Sequence, residues 1–206
     1  METARQQKQI PSTMRAFVID SLGETGAVRE LPTPEVGAAD FLIRVRAAGV
    51  NPLDWKIRDG KRSFGDLRFP YVLGQDAAGE IVQVGRDAKQ FKVGDEVYGS
   101  FWLAGTYAQY VRVTDSTKIA RKPKTIDFAH AAGLPIPGLT ALAAVNAVGV
   151  KSGETILIVG ATGGVGGYIV QLAAQRGAQV IATARDNAQA HIRKLGATEV
   201  IDYTNT

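Results

Sequence analysis

The chain has 206 residues, 45% of them hydrophobic and 21% charged, which is ordinary for a globular protein and long enough for one large or two modest domains. Its net charge of +4 comes from scattered Lys and Arg, without an RNP, zinc-finger or arginine-rich pattern, so nucleic-acid binding is not expected. The lack of cysteine removes disulfides and thiolate chemistry, and His130 and His191 alone cannot assemble a Cys and His zinc site.

The amino terminus METARQQKQIPS is polar and lacks the apolar stretch of a secretory signal, and no run approaches the ~18 apolar residues of a membrane span. A cytoplasmic protein without a membrane partner is therefore expected. From residue 14 to 118 short β-like runs alternate with turn signals, at 15–19, 41–48, 80–84, 96–101 and 107–113, which predicts a partly open barrel. Pro32 and Pro34 punctuate the first connection, and Gly94-Asp95 marks a tight turn. The basic cluster Lys118, Arg121, Lys122 and Lys124 reads as a solvated linker between domains. Helical patterning returns at 127–148, where Ala131, Ala132 and Leu134 and then 140–148 fit helices interrupted by Pro135 and Pro137.

Residues 155–174 read TILIVGATGGVGGYIVQLAA. The uncharged, β-branched and aliphatic run 155–159 predicts a strand buried on both faces of a parallel sheet. Gly160, Gly163, Gly164, Gly166 and Gly167 follow at once, and each would cost roughly 1 kcal/mol against alanine inside a helix, so they mark a tight turn. Beyond them Val165, Ile169, Leu172 and Ala173 recur at helical spacing. Strand, glycine turn and helix form the dinucleotide-binding arrangement: a pyrophosphate needs bare backbone N–H groups and the positive end of a helix dipole, and a Cβ in the turn would hold it off. Ala161 takes the first place of the G-x-G-x-x-G pattern, with Gly163 and Gly166 in the second and third. A second βαβ step supports the reading, with a strand at 179–183, a helix at 187–195 and a third strand at 199–203. The residues expected against the cofactor phosphates are Ala161, Thr162, Gly163, Gly164, Val165 and Gly166.

An acidic residue about 20 positions past the turn would hold the ribose 2′-hydroxyl of NAD. That place falls near Thr183, Ala184 and Arg185, where no acid stands. Arg185 can instead pair with a 2′-phosphate, a charge-assisted contact typically worth roughly 1.5–3 kcal/mol, which argues for NADPH. The competing reading gives the ribose to Asp186 and leaves Arg185 as a surface charge.

The runs GVNPLDWKIRDG at 49–60, FPYVLGQDAAGEIVQVG at 69–85 and FKVGDEVYG at 91–99, followed by the glycine turn, resemble the medium-chain dehydrogenase/reductase superfamily. More closely they resemble its zinc-free quinone oxidoreductase, or zeta-crystallin, branch. The resemblance implies an α/β plus β fold: a GroES-like partly open β-barrel domain over 14–126, then hinge helices and the first half of a Rossmann doubly wound parallel sheet over 127–206, with the active site in the cleft between them.

Zinc-binding relatives carry a Cys at or beside the place of Asn51 and a His near that of Gln75, and both are replaced here. The resemblance therefore implies direct hydride transfer from NADPH to a quinone or an α,β-unsaturated carbonyl without a metal Lewis acid. By position, Asn51 would line the cleft with its amide donating to a substrate carbonyl oxygen, or else simply open a turn. Lys56 stands where several quinone reductases have tyrosine and related alkenal reductases lysine; its ammonium could contact the cofactor phosphate or ribose, polarise the carbonyl, or be a surface cation. Thr140 matches a position whose hydroxyl lies near the nicotinamide, the other reading being a backbone-bonded helical threonine. Tyr203, in VIDYT, matches a tyrosine that packs at the 2′-phosphate end, or is a strand-end core aromatic. Asp54, Trp55 and Arg58 read as packing and helix-face residues, although Trp55 could wall a substrate pocket; Asp76 and Asp95 read as structural, and His130 and His191 as helix-surface residues.

A doubly wound sheet needs a second βαβαβ half, whereas this sequence stops just after its third parallel strand. A C-terminally truncated piece is expected, with its first strand presenting an unpaired apolar edge. The resemblance implies a homodimer for the full-length form. Two other functions fit the same residues: an enoyl-thioester reductase, served by the same hydride chemistry, and a non-catalytic nucleotide-binding or crystallin-like protein.

Overall fold

The computed structural model describes residues 9–62, 65, 67–114 and 119–204. Lys118 and the side chain of Asp186 lie outside the described residues. The chain divides into two compact units, one up to Pro135 and one from Ile136 onward.

The first unit is mostly β. Its elements in order are β1 (Thr13–Ile19), β2 (Ala27–Pro32), β3 (Asp40–Gly49), α1 (Pro52–Arg58), β4 (Tyr71–Val72), β5 (Asp76–Val84), β6 (Glu96–Ser100), β7 (Tyr110–Thr114), β8 (Ile119–Arg121) and α2 (Phe128–Ala132). The expected partly open barrel takes the form of two open sheets, of order β7-β3-β5-β6-β8 and β2-β1-β4. Residues 107–109 stitch them together, through an Ala16–Ala108 bridge and the backbone bonds Phe17 N to Tyr107 O (2.8 Å) and Gln109 N to Arg15 O (3.0 Å). Alternation decides which face is buried: in β1 Met14, Ala16 and Val18 point inward while Arg15 is exposed. Phe41, Ile43, Ala77, Ile81, Val97 and Val111 form the main core of this unit, and Phe41 meets Phe91 edge to face at 5.8 Å.

Two features depart from expectation. Strand β5 begins at Asp76, so Ala77, Ala78 and Gly79 pair in register with β3 and β6, and Gly79 is required because a Cβ there would meet the Arg44 carbonyl oxygen at 2.2 Å. The basic cluster after β7 is not a solvated linker. Arg121 closes β8 and its guanidinium pairs with the Asp95 carboxylate at 2.6 Å, while the Lys122 ammonium, almost wholly buried, pairs with Glu96 and donates to the Ile126 carbonyl at 2.8 Å. Arg121 and Lys122 thus both have acidic partners, which is what permits the Lys122 cation to be buried.

The second unit is α/β: α3 (Pro135–Val148), β9 (Thr155–Ile158), α4 (Gly164–Gln175), β10 (Gln179–Thr183), α5 (Asp186–Lys194) and β11 (Glu199–Ile201). Pro135 and Pro137 do not interrupt α3; they lie in its first turn, where a missing N–H has no intrahelical partner to lose. The strands make a parallel sheet of order β11-β10-β9. Ile158, Val170, Val180, Ala182 and Ile192 pack its core. Among the described residues β9 pairs only with β10, and Leu157 and Val159 are 58% and 76% exposed. No helix among the described residues is long and apolar enough to cross a membrane.

Candidate functional site

The glycine turn joins β9 to α4. Gly160 takes φ +76, a conformation costly for any residue with a Cβ. Gly163 is the N-cap of α4 and offers no side chain to its first N–H groups, which leaves them to an outside acceptor. A Cβ on Gly163 would come no nearer than 3.4 Å to the surrounding protein, so its bareness serves the space in front of the turn. Gly166 has the opposite reason: a Cβ there would strike the Gly160 carbonyl oxygen at 2.1 Å and the Ala161 Cα at 2.8 Å. This is the close helix-to-strand approach that the third glycine of the fingerprint provides. Ala161 turns its side chain into the core and has only backbone to offer a ligand, whereas Thr162, Gly163 and Gly164 are exposed and Val165 is half-buried.

Beyond the C-terminal ends of β10 and β11 the chain brings together two residues 18 apart in sequence: Arg185 Nε donates to the Tyr203 hydroxyl at 3.1 Å. Arg185 is the N-cap of α5 and is exposed, as is Tyr203. Thr183, at the end of β10, accepts from the Gly160 N–H at 3.4 Å, which ties the glycine turn to the same strand end. Parallel strands explain the meeting, since adjacent C-terminal ends lie on one edge of the sheet. Thr140 on α3 is exposed and its hydroxyl donates to the Ile136 carbonyl at 2.7 Å, one turn back, so only acceptor capacity remains on that oxygen.

In the first unit the run 49–60 forms a buried polar cluster around the start of α1. Pro52 occupies the first turn, with Asn51 as N-cap. The Asn51 N–H donates to Asp54 Oδ2 at 2.7 Å and its side-chain Nδ2 donates to Asp76 Oδ2 at 3.0 Å. Asn51 is only 7% exposed, and with one amide hydrogen on Asp76 a single N–H is left for any substrate oxygen. The Tyr107 hydroxyl donates to the same Asp54 Oδ2 at 2.7 Å. Gln75, fully buried, accepts the Leu103 N–H at 2.8 Å and so holds Leu103 at φ +55.

Electrostatics in this cluster follow burial. Desolvation raises the Asp54 carboxyl above its usual value, against the opposing hydrogen bonds from Tyr107 and Asn51. Burial likewise raises Tyr107, with the bond to Asp54 adding to it. Burial raises Tyr71 as well, opposed by the Gln75 amide and reinforced by the Asp54 charge. Asp54 and Tyr107 are the site residues that sequence reasoning missed. One signal was available, because an acid three residues past an N-cap reaches back to the cap N–H.

Lys56 is half-buried on α1, its Nζ 5.6 Å from the centroid of the Trp55 ring, and Lys61 Nζ lies 5.0 Å from the same ring. His130 is a surface residue bonded to the α2 cap Asp127, and His191 is exposed on the last turn of α5. Asp95 accepts the Lys92 N–H and pairs with Arg121, a structural role. Among the described residues no group of three or more His, Cys, Asp or Glu is arranged to hold a metal ion.

Residues 37–124 match the family model described as the alcohol dehydrogenase GroES-like domain. The chain is 40% identical over 203 residues to the chloroplastic quinone-oxidoreductase QR1 of Triphysaria versicolor, covering 92% of this chain and 61% of that one. It is 38% identical to the chloroplastic NADPH-dependent alkenal/one oxidoreductase of Arabidopsis thaliana, covering 95% of this chain and 54% of the relative. The structure of the quinone oxidoreductase from Coxiella burnetii superposes with a TM-score of 0.84 at 37% identity, over 94% of this chain and 63% of that chain. The chain thus spans between 54% and 61% of these two curated relatives. A GroES-like domain in the first unit, a glycine turn opening a parallel βαβ unit, and these relatives over nearly the whole chain lead to one conclusion: the chain is similar to quinone oxidoreductases and alkenal/one oxidoreductases along nearly its whole length.

Proposed function

We propose that the protein is part of a zinc-independent, NADPH-dependent oxidoreductase that transfers hydride to a quinone or an α,β-unsaturated carbonyl. The observation that carries the reading is the convergence, at one edge of the second unit, of a side-chain-free helix start at Gly163 with the Arg185 and Tyr203 pair. The turn fits a dinucleotide: the Gly163 N-cap leaves backbone N–H groups for a pyrophosphate, with Thr162, Gly164 and Val165 around it. Arg185 takes the adenosine 2′-phosphate, with the Tyr203 hydroxyl steadying the guanidinium. Thr140 supplies an acceptor oxygen toward the nicotinamide amide. A reduced nicotinamide, when bound, supplies the hydride.

On the first unit Asn51 and Lys56 act on the acceptor. The remaining Asn51 N–H donates to the carbonyl oxygen where negative charge gathers, and Asp54 and Asp76 fix its backbone and its amide. The Lys56 ammonium supplies positive charge to the same oxygen. Zinc-independence is supported by the donor set, in which amides stand at Asn51 and Gln75 and Asp54 Oδ2 is already shared by two hydrogen bonds. The test is consumption of NADPH, followed by its dihydronicotinamide absorbance, in the presence of a simple quinone or a conjugated enone. The expected result is oxidation that depends on the acceptor and survives a chelator. Lack of oxidation by the longest expressible form of the protein contradicts the reading.

A further inference from the structure

Asn51 reaches its place because of how the chain leaves β3. Gly49, the last residue of that strand, stands opposite Asp76, the first of β5, and a Cβ on Gly49 would meet the Ala132 carbonyl oxygen at 2.3 Å and the Asp76 Cβ at 3.0 Å. Two residues later the Asn51 side chain lies against the same Asp76, its Nδ2 donating to Oδ2 at 3.0 Å. Asp76 is wholly buried and Asn51 nearly so, while Val50 between them in the chain turns outward. The backbone of Asn51 is held separately: its N–H donates to Asp54 Oδ2 at 2.7 Å, and the Tyr107 hydroxyl donates to that same oxygen at 2.7 Å. What is left to fix is the rotation of the terminal amide, whose oxygen and nitrogen exchange places on a half turn.

The two orientations differ in chemistry. A carboxylate accepts hydrogen bonds and has none to donate, so it takes the amide nitrogen and repels the amide oxygen. With Nδ2 turned to Asp76, the second Nδ2 hydrogen is the one that can serve a substrate oxygen; a half turn would set Oδ1 against Asp76 and withdraw that N–H. We propose that Asp76 is a positioning residue: its carboxylate, by accepting only, selects which end of the Asn51 amide faces it and so keeps the other N–H in place for the acceptor. What that N–H serves rests on the reductase reading; the orientation itself does not. Asparagine at this position has nearly the shape of aspartate but both donates and accepts, so it admits either orientation of Asn51.

Two measurements test the proposal. In the 206-residue chain, magnetic resonance detects a scalar coupling across the hydrogen bond between Asn51 Nδ2 and Asp76 Cγ. That coupling is expected in the unaltered chain, and its absence overturns the proposal whether or not the protein reduces any acceptor. In the longest expressible form, Asp76→Asn lowers kcat by about tenfold or more with KM little changed, because the N–H acts on charge that develops in the transition state. Asn51→Ala lowers kcat at least as far, and the double variant falls no further than Asn51→Ala alone. A carboxylate that merely supported the fold would lower kcat by the same factor in both backgrounds; that result, or unchanged kcat in Asp76→Asn, overturns the proposal. Should the unaltered protein oxidise no NADPH, the reductase reading fails and the coupling decides the orientation. Should Asp76→Asn not fold, the coupling in the unaltered chain again decides.

Discussion

Gly166→Ala is the sharpest perturbation of the glycine turn. The added Cβ would sit 2.1 Å from the Gly160 carbonyl oxygen, 2.8 Å from the Gly160 carbonyl carbon and 2.8 Å from Ala161 Cα, where ordinary contact begins at 3.4 Å. All three atoms are backbone, so no side chain can rotate away, and either α4 or the turn must move. Overpacking of this kind costs about 1–3 kcal/mol, and the better helix propensity of alanine returns at most ~1 kcal/mol, so a net loss of about 1–2 kcal/mol is expected. Gly164→Ala is the matched control, since its nearest neighbour is Pro137 Cβ at 3.9 Å and only the propensity gain applies. Urea unfolding of the two variants should therefore move in opposite directions. If Gly166→Ala is as stable as Gly164→Ala, the close approach is not what fixes this glycine, and the packing argument fails.

Two further outcomes concern the buried cluster. Tyr107→Phe deletes the hydroxyl that donates to Asp54 and leaves that carboxylate with the Asn51 N–H alone, so unfolding free energy should fall by about 1.5–3 kcal/mol; an unchanged denaturation midpoint contradicts the assigned bond. Asp54→Asn addresses the raised carboxyl. Because burial lifts Asp54 above 3.8, the folded state holds its proton while the unfolded state has lost it, and stability falls as pH rises from 3.8 through the raised value. Asparagine has no proton to lose, so the stability of Asp54→Asn relative to the unaltered chain should improve as pH rises across that window. A difference that stays flat or runs the other way shows that Asp54 is not raised.

The parts of this molecule that were legible in the sequence are those in which backbone geometry demands a residue type. Gly160, Gly163 and Gly166 could be read because each does something no other residue does there: a positive φ, a bare helix start and a close approach. Arg185 could be read from its place just past 179–183 and Tyr203 from the resemblance alone; their hydrogen bond comes from the parallel pairing of β10 with β11. The bond from Tyr107 to Asp54 was hidden because it spans 53 residues and depends on how the two sheets are joined. Strand β2 was hidden for another reason: AVRELP is almost wholly exposed and carries no alternation, and its strand character comes from pairing with β1. The cluster at Arg121 and Lys122 misled because charge in sequence says nothing of partners; Asp95 and Glu96 lie more than twenty positions upstream and meet it only through the pairing of β6 with β8.

The central claim, that the second unit holds a nicotinamide dinucleotide by the Gly163 turn and reads its 2′-phosphate at Arg185, is tested most directly by fluorescence titration of the chain with NADPH and with NADH, each repeated on Arg185→Ala. The account predicts tighter binding of NADPH, by about tenfold or more for one charge-assisted contact, and loss of that preference in the variant with NADH affinity unchanged. Equal affinity for the two cofactors, or a preference that survives Arg185→Ala, contradicts it.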